Sequence, residues 1–218
     1  MIRFACTLAA TALLIATPAL AQGGKNNFDT YLQAPNFNAA DKARIAKATA
    51  YLQGLNTAQG RFEQTDDRGR TVQGKWFLQR PGKIRFEYDP PSSLLIVSDG
   101  RKINVWDPRL QNVNAYPLSE TPLSLFLNKS IRFDQGVIVT NVSSDAAGFT
   151  LTARSRNKTV DGSVKLDFAQ AGDGPAALRQ WTIIDATGKS TTVKLLSLAT
   201  DSRLSPDLFV FDKTQSKK

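Results

Sequence analysis

Few residues in this chain are equipped to make or break bonds, and the one whose setting most needs explaining is Arg80. Side chains alternate across a strand at period two, so counting back from Arg80 places Leu78 and Trp76 on the same side of Trp76-Phe77-Leu78-Gln79-Arg80. A guanidinium among large apolar groups costs ~3–5 kcal/mol when its partner is missing, so Arg80 requires hydrogen-bond acceptors. Two roles meet that requirement: a structural anchor at a strand end, or a donor that works at the rim of an apolar face.

The other chemical candidates are weaker. Glu87 and Asp89 share one strand face and have the spacing of a carboxylate pair. They stand on the expected wet face beside Pro90 and Pro91, where nothing would raise one pKa above the other as acid–base catalysis requires. Serines are plentiful, but no Gly-x-Ser-x-Gly elbow accompanies them. The chain contains no histidine, and its one cysteine is Cys6. A histidine base, a thiol nucleophile past the N-terminal segment and a zinc site built from these ligands are thereby excluded. Gly172-Asp173-Gly174-Pro175-Ala176-Ala177 imitates a dinucleotide fingerprint, yet Leu178 to Ile184 reads as another strand. With no helix N-terminus to receive a pyrophosphate, a hairpin turn is the better reading. The composition therefore predicts a protein that is not an enzyme, with no cofactor and no metal.

The elements that must position Arg80 follow from patterning. Residues 1–21 carry Arg3, an apolar run through Leu13-Leu14-Ile15 and then Ala19-Leu20-Ala21, which is the plan of a secretory signal peptide cleaved after Ala21. Its apolar core is shorter than the ~20 residues a membrane-spanning helix needs. Cys6 lies ahead of that core, so it is not placed to become the lipid-modified first residue of a mature lipoprotein. Residues 22–218 are expected to form a single soluble domain, with 22–38 as a loose arm or short helix. Cleavage removes one positive charge from a formal +9, and the remaining basic residues are scattered. Export and the lack of a recognition motif argue against nucleic acid as a partner.

Ile45, Ala48 and Leu52 follow a helical period between the cap Asn38 and the stop Gly54. Beyond that helix, short alternating runs are separated by turns at Asp67-Arg68-Gly69, Pro81-Gly82, Asp89-Pro90-Pro91, Asp99-Gly100, Asp107-Pro108, Ala147-Gly148, Asp161-Gly162, Gly172 to Pro175 and Thr187-Gly188. Such spacing predicts an antiparallel meander of about eleven strands. Ile84, Phe86 and Tyr88 oppose Lys83, Arg85 and Glu87, while Val164, Leu166 and Phe168 oppose Lys165 and Asp167, giving one dry and one wet face. The aromatic residues of the dry face include Trp76, Phe86, Phe168 and Trp181. Leu123, Phe126 and Leu127 stand at i, i+3 and i+4, the stripe of a short helix that interrupts the strands. The fold class expected is mainly β with a few helices: an incomplete antiparallel barrel with a helical lid over an apolar cavity.

The run from Arg80-Pro81 to Phe86 and the strand end Val97-Ser98-Asp99-Gly100 resemble the LolA family, periplasmic carriers of outer-membrane lipoproteins. The resemblance extends from Phe62-Glu63-Gln64 to Phe209-Val210-Phe211, and only residues 212–218 follow, where many family members continue. It implies that acyl chains of lipoproteins, released by an ATP-driven transporter of the inner membrane, enter the cavity and are delivered to an outer-membrane receptor or directly to the outer membrane. It implies a monomeric carrier in the periplasm. It also implies that Arg80 bonds to backbone carbonyls of the lid when the cavity is empty. An arginine suits that task because its five donors satisfy several carbonyls without a dedicated side-chain partner.

On this reading Trp76, Leu78, Ile84, Phe86 and Tyr88 line the lipid-binding sheet face, Leu123, Phe126 and Leu127 line the lid, and Arg80 is the latch. Three alternatives stand beside it: a lipid- or lipoprotein-binding sensor module, a carrier of another amphiphile such as a glycolipid, and a hydrolase of envelope lipids.

Overall fold

The computed structural model describes residues 35–129, 131, 136–156 and 160–212. The expected signal peptide, residues 1–21, and most of the expected arm lie outside the described residues. The expected first helix is present as α1 (Ala39–Gly54), and the Asn38 side chain accepts from the Asp41 N–H at 2.8 Å as its N-cap. Ala48 and Leu52 are the residues α1 buries. Gly54 closes the helix from inside, and the C-cap is Leu55.

Strands β1 (Thr57–Thr65), β2 (Thr71–Gln79), β3 (Lys83–Tyr88), β4 (Leu95–Asp99), β5 (Lys102–Asp107) and β6 (Asn112–Pro117) form a meander in the first half. The second half contributes β7 (Val137–Asp145), β8 (Gly148–Ser155), β9 (Ser163–Ala169), β10 (Ala177–Ile184), β11 (Ser190–Leu195) and the two-residue β12 (Ala199–Thr200). Eleven strands lie in the continuous order β6-β5-β4-β3-β2-β1-β11-β10-β9-β8-β7, and β12 pairs with β1. The expectation of about eleven strands agrees with the eleven of this path; the two residues of β12 carry no periodicity to read. All nine predicted turns fall at strand junctions, with Asp99, Asp107 and Gly148 as end residues of β4, β5 and β8. In particular, Gly172 to Pro175 joins the antiparallel pair β9 and β10, as a hairpin requires.

Because β6 and β7 lie at opposite ends of that order, the curled sheet keeps two free edges and is not closed. The connection between them carries a 3-10 turn (Leu118–Glu120) and a short helix, α2 (Ser124–Leu127). The element that covers the sheet therefore sits in the one segment that links its two free edges. All four residues of α2 are buried.

The alternation on β9 is as expected, with Val164, Leu166 and Phe168 buried. On β3 the wet-face expectation needs correction, because Arg85 is only 2% exposed. The 3-10 turn Pro206–Phe209 lies against β3 and β4 on the outer side of the sheet. Arg85 Nε donates to Glu87 Oε1 at 2.6 Å, and its Nη1 donates to the Leu208 carbonyl at 3.1 Å. Beside it Leu95, Val97 and Trp106 form a second, small apolar cluster packed against Phe211. The outer face under this strap is dry, while elsewhere Lys165 and Lys75 remain exposed.

Candidate functional site: a lidded apolar face

The concave face is built from cross-strand rows that each set one small residue beside two large ones. Ala58, Leu78 and Ile84 form one row, Gly60, Trp76 and Phe86 the next, and Phe62, Gly74 and Tyr88 the third. Gly74 is required there by close approach. A Cβ at that position would stand 2.1 Å from the Glu87 carbonyl oxygen and 2.8 Å from Phe62 Cε1. The space a side chain would occupy is filled by the Phe62 and Tyr88 rings, which meet edge to face with centroids 5.1 Å apart.

An aromatic chain runs from this row to the lid. Phe62 meets Phe86 edge to face at 5.1 Å, Phe86 lies 6.3 Å from Trp181 of β10, and Trp181 stacks on Phe126 of α2 at 5.6 Å. Such pairs add ~0.5–1.5 kcal/mol beyond the area they bury, so Phe126 is a strong attachment for so short a helix. The structure brings all the expected lining residues into one cluster: Trp76, Leu78, Ile84, Phe86, Tyr88, Phe126 and Leu127 are buried in it, and Leu123 packs against it partly exposed. In this state Leu125, Phe126 and Leu127 of the lid and Ala48 and Leu52 of α1 are buried in that same cluster.

Arg80 follows β2 directly and reaches the ends of both helices. Its Nη1 donates to the carbonyls of Leu52 and Leu55 at the end of α1, and its Nη2 donates to the Asn128 carbonyl at 2.5 Å, just past α2. Carbonyls in the last turn of a helix have no partner within it and carry the negative end of its dipole, so a cation is the natural group to receive them. The same turn holds the lid a second time, because the Gly82 N–H donates to the Leu127 carbonyl at 2.8 Å. Gly82 has φ +76, which glycine adopts without strain. Burial holds the Arg80 guanidinium below its ordinary pKa, and its Nε is buried with no partner among the described residues.

The carboxylates considered for catalysis are both engaged by arginines. Glu87 pairs with Arg85, and Asp89 accepts from Arg61 at 2.5 Å.

Several participants were not assigned to the site from sequence. Trp181 was placed on the dry face but not under the lid; Phe62 and Leu125 had no role, and the acceptors on α1 were not foreseen. Phe62 was accessible to a period-two count from Ala58, whereas the stack of Trp181 on Phe126 joins residues with no common period. Leu125 escaped because it lies off the i, i+3, i+4 stripe, yet it is buried in the same core cluster.

An open antiparallel half-barrel, with an apolar concave face covered by a short helix that one arginine ties down, defines a lidded half-barrel built around an apolar site. The chain belongs to the LolA family: the family model described as outer membrane lipoprotein carrier protein LolA matches residues 53–212. An outer-membrane lipoprotein carrier protein of Pseudomonas fluorescens is 29% identical over 185 residues, covering 79% of this chain and 86% of that protein. One of Pseudomonas syringae pv. syringae is 28% identical over 184 residues, covering 79% and 85%. Among solved structures the chain is similar to a LolA superfamily protein from Nitrosomonas europaea, with 12% identity, a TM-score of 0.46 and coverage of 78% of this chain and 97% of that one. Among the described residues no helix is long and apolar enough to cross a membrane.

Proposed function

We propose that this protein is a periplasmic chaperone that takes up the acyl chains of lipoproteins released from the inner membrane and carries them to the outer membrane. The observation that carries this reading is Arg80, which bridges carbonyls at the ends of α1 and α2, the two helices that pack on the apolar face. Opening the lid would expose the part of that face it covers and take the Asn128 carbonyl from Arg80 together, so the loaded state is disfavoured by its own latch.

A carrier needs such a bias. Each buried methylene is worth ~0.8 kcal/mol, and an acylated protein carries dozens, so unopposed burial would prevent release on a useful timescale. The concave face competes with an equally apolar bilayer and has only to balance it. A lid that prefers to close shifts the balance toward delivery. The transporter on one side and the receptor, or the outer membrane itself, on the other are the partners this reading requires, with the protein acting as a monomer and without catalysis.

The test is to incubate the exported protein with inner-membrane vesicles containing labelled lipoprotein, the family's releasing transporter and ATP. A soluble one-to-one complex that surrenders its cargo to outer membranes is the expected result. No complex with a demonstrably active transporter would overturn the reading in favour of a sensor or a carrier of another amphiphile, and turnover of an acyl ester would overturn it in favour of a hydrolase.

A further inference from the structure

The concave face is apolar along its rows until its far end, where it carries a polar pair. Gln64 lies two residues beyond Phe62 on β1 and so shares its face, with Val72 and Val193 as cross-strand neighbours. The Tyr88 hydroxyl on β3 donates to Gln64 Oε1 at 2.6 Å. To do so the tyrosine crosses β2, which is possible because the residue opposite it is Gly74. Tyr88 is 7% exposed, and burial pushes its hydroxyl pKa well above the ordinary value. This bar of ring and amide lies across the concave face at the end opposite Arg80. Gly74 and Arg80 are separated by the length of β2 between them, about 20 Å at ~3.3 Å per residue.

Resting on the carrier reading above, we propose that Tyr88 and Gln64 form the floor of the acyl site and set the longest acyl chain the protein holds. A chain entering under the lid displaces Phe126 from Trp181 and runs past Phe86 and Phe62 toward the pair. There it meets two polar groups that satisfy each other. Moving Tyr88 aside to admit further methylenes would break this partly buried hydrogen bond and leave the buried Tyr88 hydroxyl without its acceptor, a cost that offsets what the added methylenes gain. A longer chain therefore has to leave its excess outside the face. The pair acts on the length of the chain rather than on its entry, which Arg80 controls.

The experiment measures binding of synthetic diacyl lipopeptides, identical but for saturated chains graded from lauroyl to arachidoyl, to the exported protein and to Tyr88→Ala and Gln64→Met. For the unaltered protein affinity should climb by about fourfold per methylene and then stop climbing at a definite length. Tyr88→Ala should move that limit to longer chains. Gln64→Met, which keeps the bulk of the side chain and removes the acceptor, should move it in the same direction by less, and it decides the matter if Tyr88→Ala does not fold. Variants that bind the short chains and keep the original limit would overturn the floor while leaving the carrier reading intact. Failure of the unaltered protein to bind any chain would overturn both.

Discussion

Two apolar patches of this molecule are each covered by a short helical segment and each tied down by one arginine, yet the ties differ in kind. Under α2, Arg80 donates to three backbone carbonyls and keeps its Nε without a partner among the described residues. Under the Pro206–Phe209 turn, Arg85 faces a carboxylate, Glu87, as well as the Leu208 carbonyl. A carboxylate pair inside the protein is costly to separate, because removing one partner leaves a charge uncompensated. Carbonyls can exchange an arginine for water. The comparison teaches that Arg85 keeps a charged partner on its own strand and reaches its cover through one carbonyl, whereas every acceptor of Arg80 is a carbonyl supplied by another element.

The largest effect should separate the two patches by their packing. Phe62→Ala empties the centre of the aromatic chain on the concave face and should cost about 3–5 kcal/mol, whereas Phe211→Ala, from a partly exposed ring on the smaller cluster, should cost about 1–2 kcal/mol. Urea denaturation of both variants checks the order, and equal losses would break the distinction between a main core and an outer strap. Next comes Arg85→Leu, which should lower stability by about 2–3 kcal/mol, softened by the partial exposure of Glu87.

Arg80→Leu should do the reverse in kind. Its global cost should be about 1 kcal/mol, because lid opening is a local event, while its effect on function is large. The variant should load lipoprotein normally and retain it when offered outer membranes. Rapid transfer by Arg80→Leu, or a stability loss matching that of Arg85→Leu, would show that the two ties are of one kind.

The smallest effect belongs to the turns rather than to either patch. Burial alone would raise the carboxyls of Asp66, Asp99, Asp107 and Asp185, but hydrogen bonds from neighbouring N–H groups and side chains outweigh it and hold each below the ordinary range. A carboxyl depressed in the folded state contributes stability that is full above its unfolded value of about 3.9 and is lost as pH falls through the folded value. Thermal denaturation should therefore show a gentle loss of stability below about pH 4. Replacing Asp185 by Asn should flatten part of that slope.

Much of the fold was legible because it is written in short periods. The alternation at Ile84, Phe86 and Tyr88 gave the dry face of β3, the Gly and Pro punctuation placed the nine turns, and the stripe Leu123, Phe126, Leu127 marked α2. The conflict at Arg80, a cation in line with Trp76 and Leu78, pointed to a need for acceptors before any partner was visible. Trp181 was legible as a dry-face residue and not as the seat of Phe126, because no local pattern says which strand a helix in a distant loop will meet.

The sequence by itself determined which residues share a face, where strands end and that Arg80 must find acceptors, since these depend on backbone geometry over a few residues. Tertiary structure alone decided what those acceptors are. The Leu52 carbonyl stands 28 positions before Arg80 and the Asn128 carbonyl 48 positions after it, and only the curl of the sheet brings them together. It also decided the fate of Arg85, which alternation assigned to solvent and which Leu208, 123 positions away, buries. Periodicity fixes the face a side chain is on; whether another segment covers that face depends on where the rest of the chain folds back.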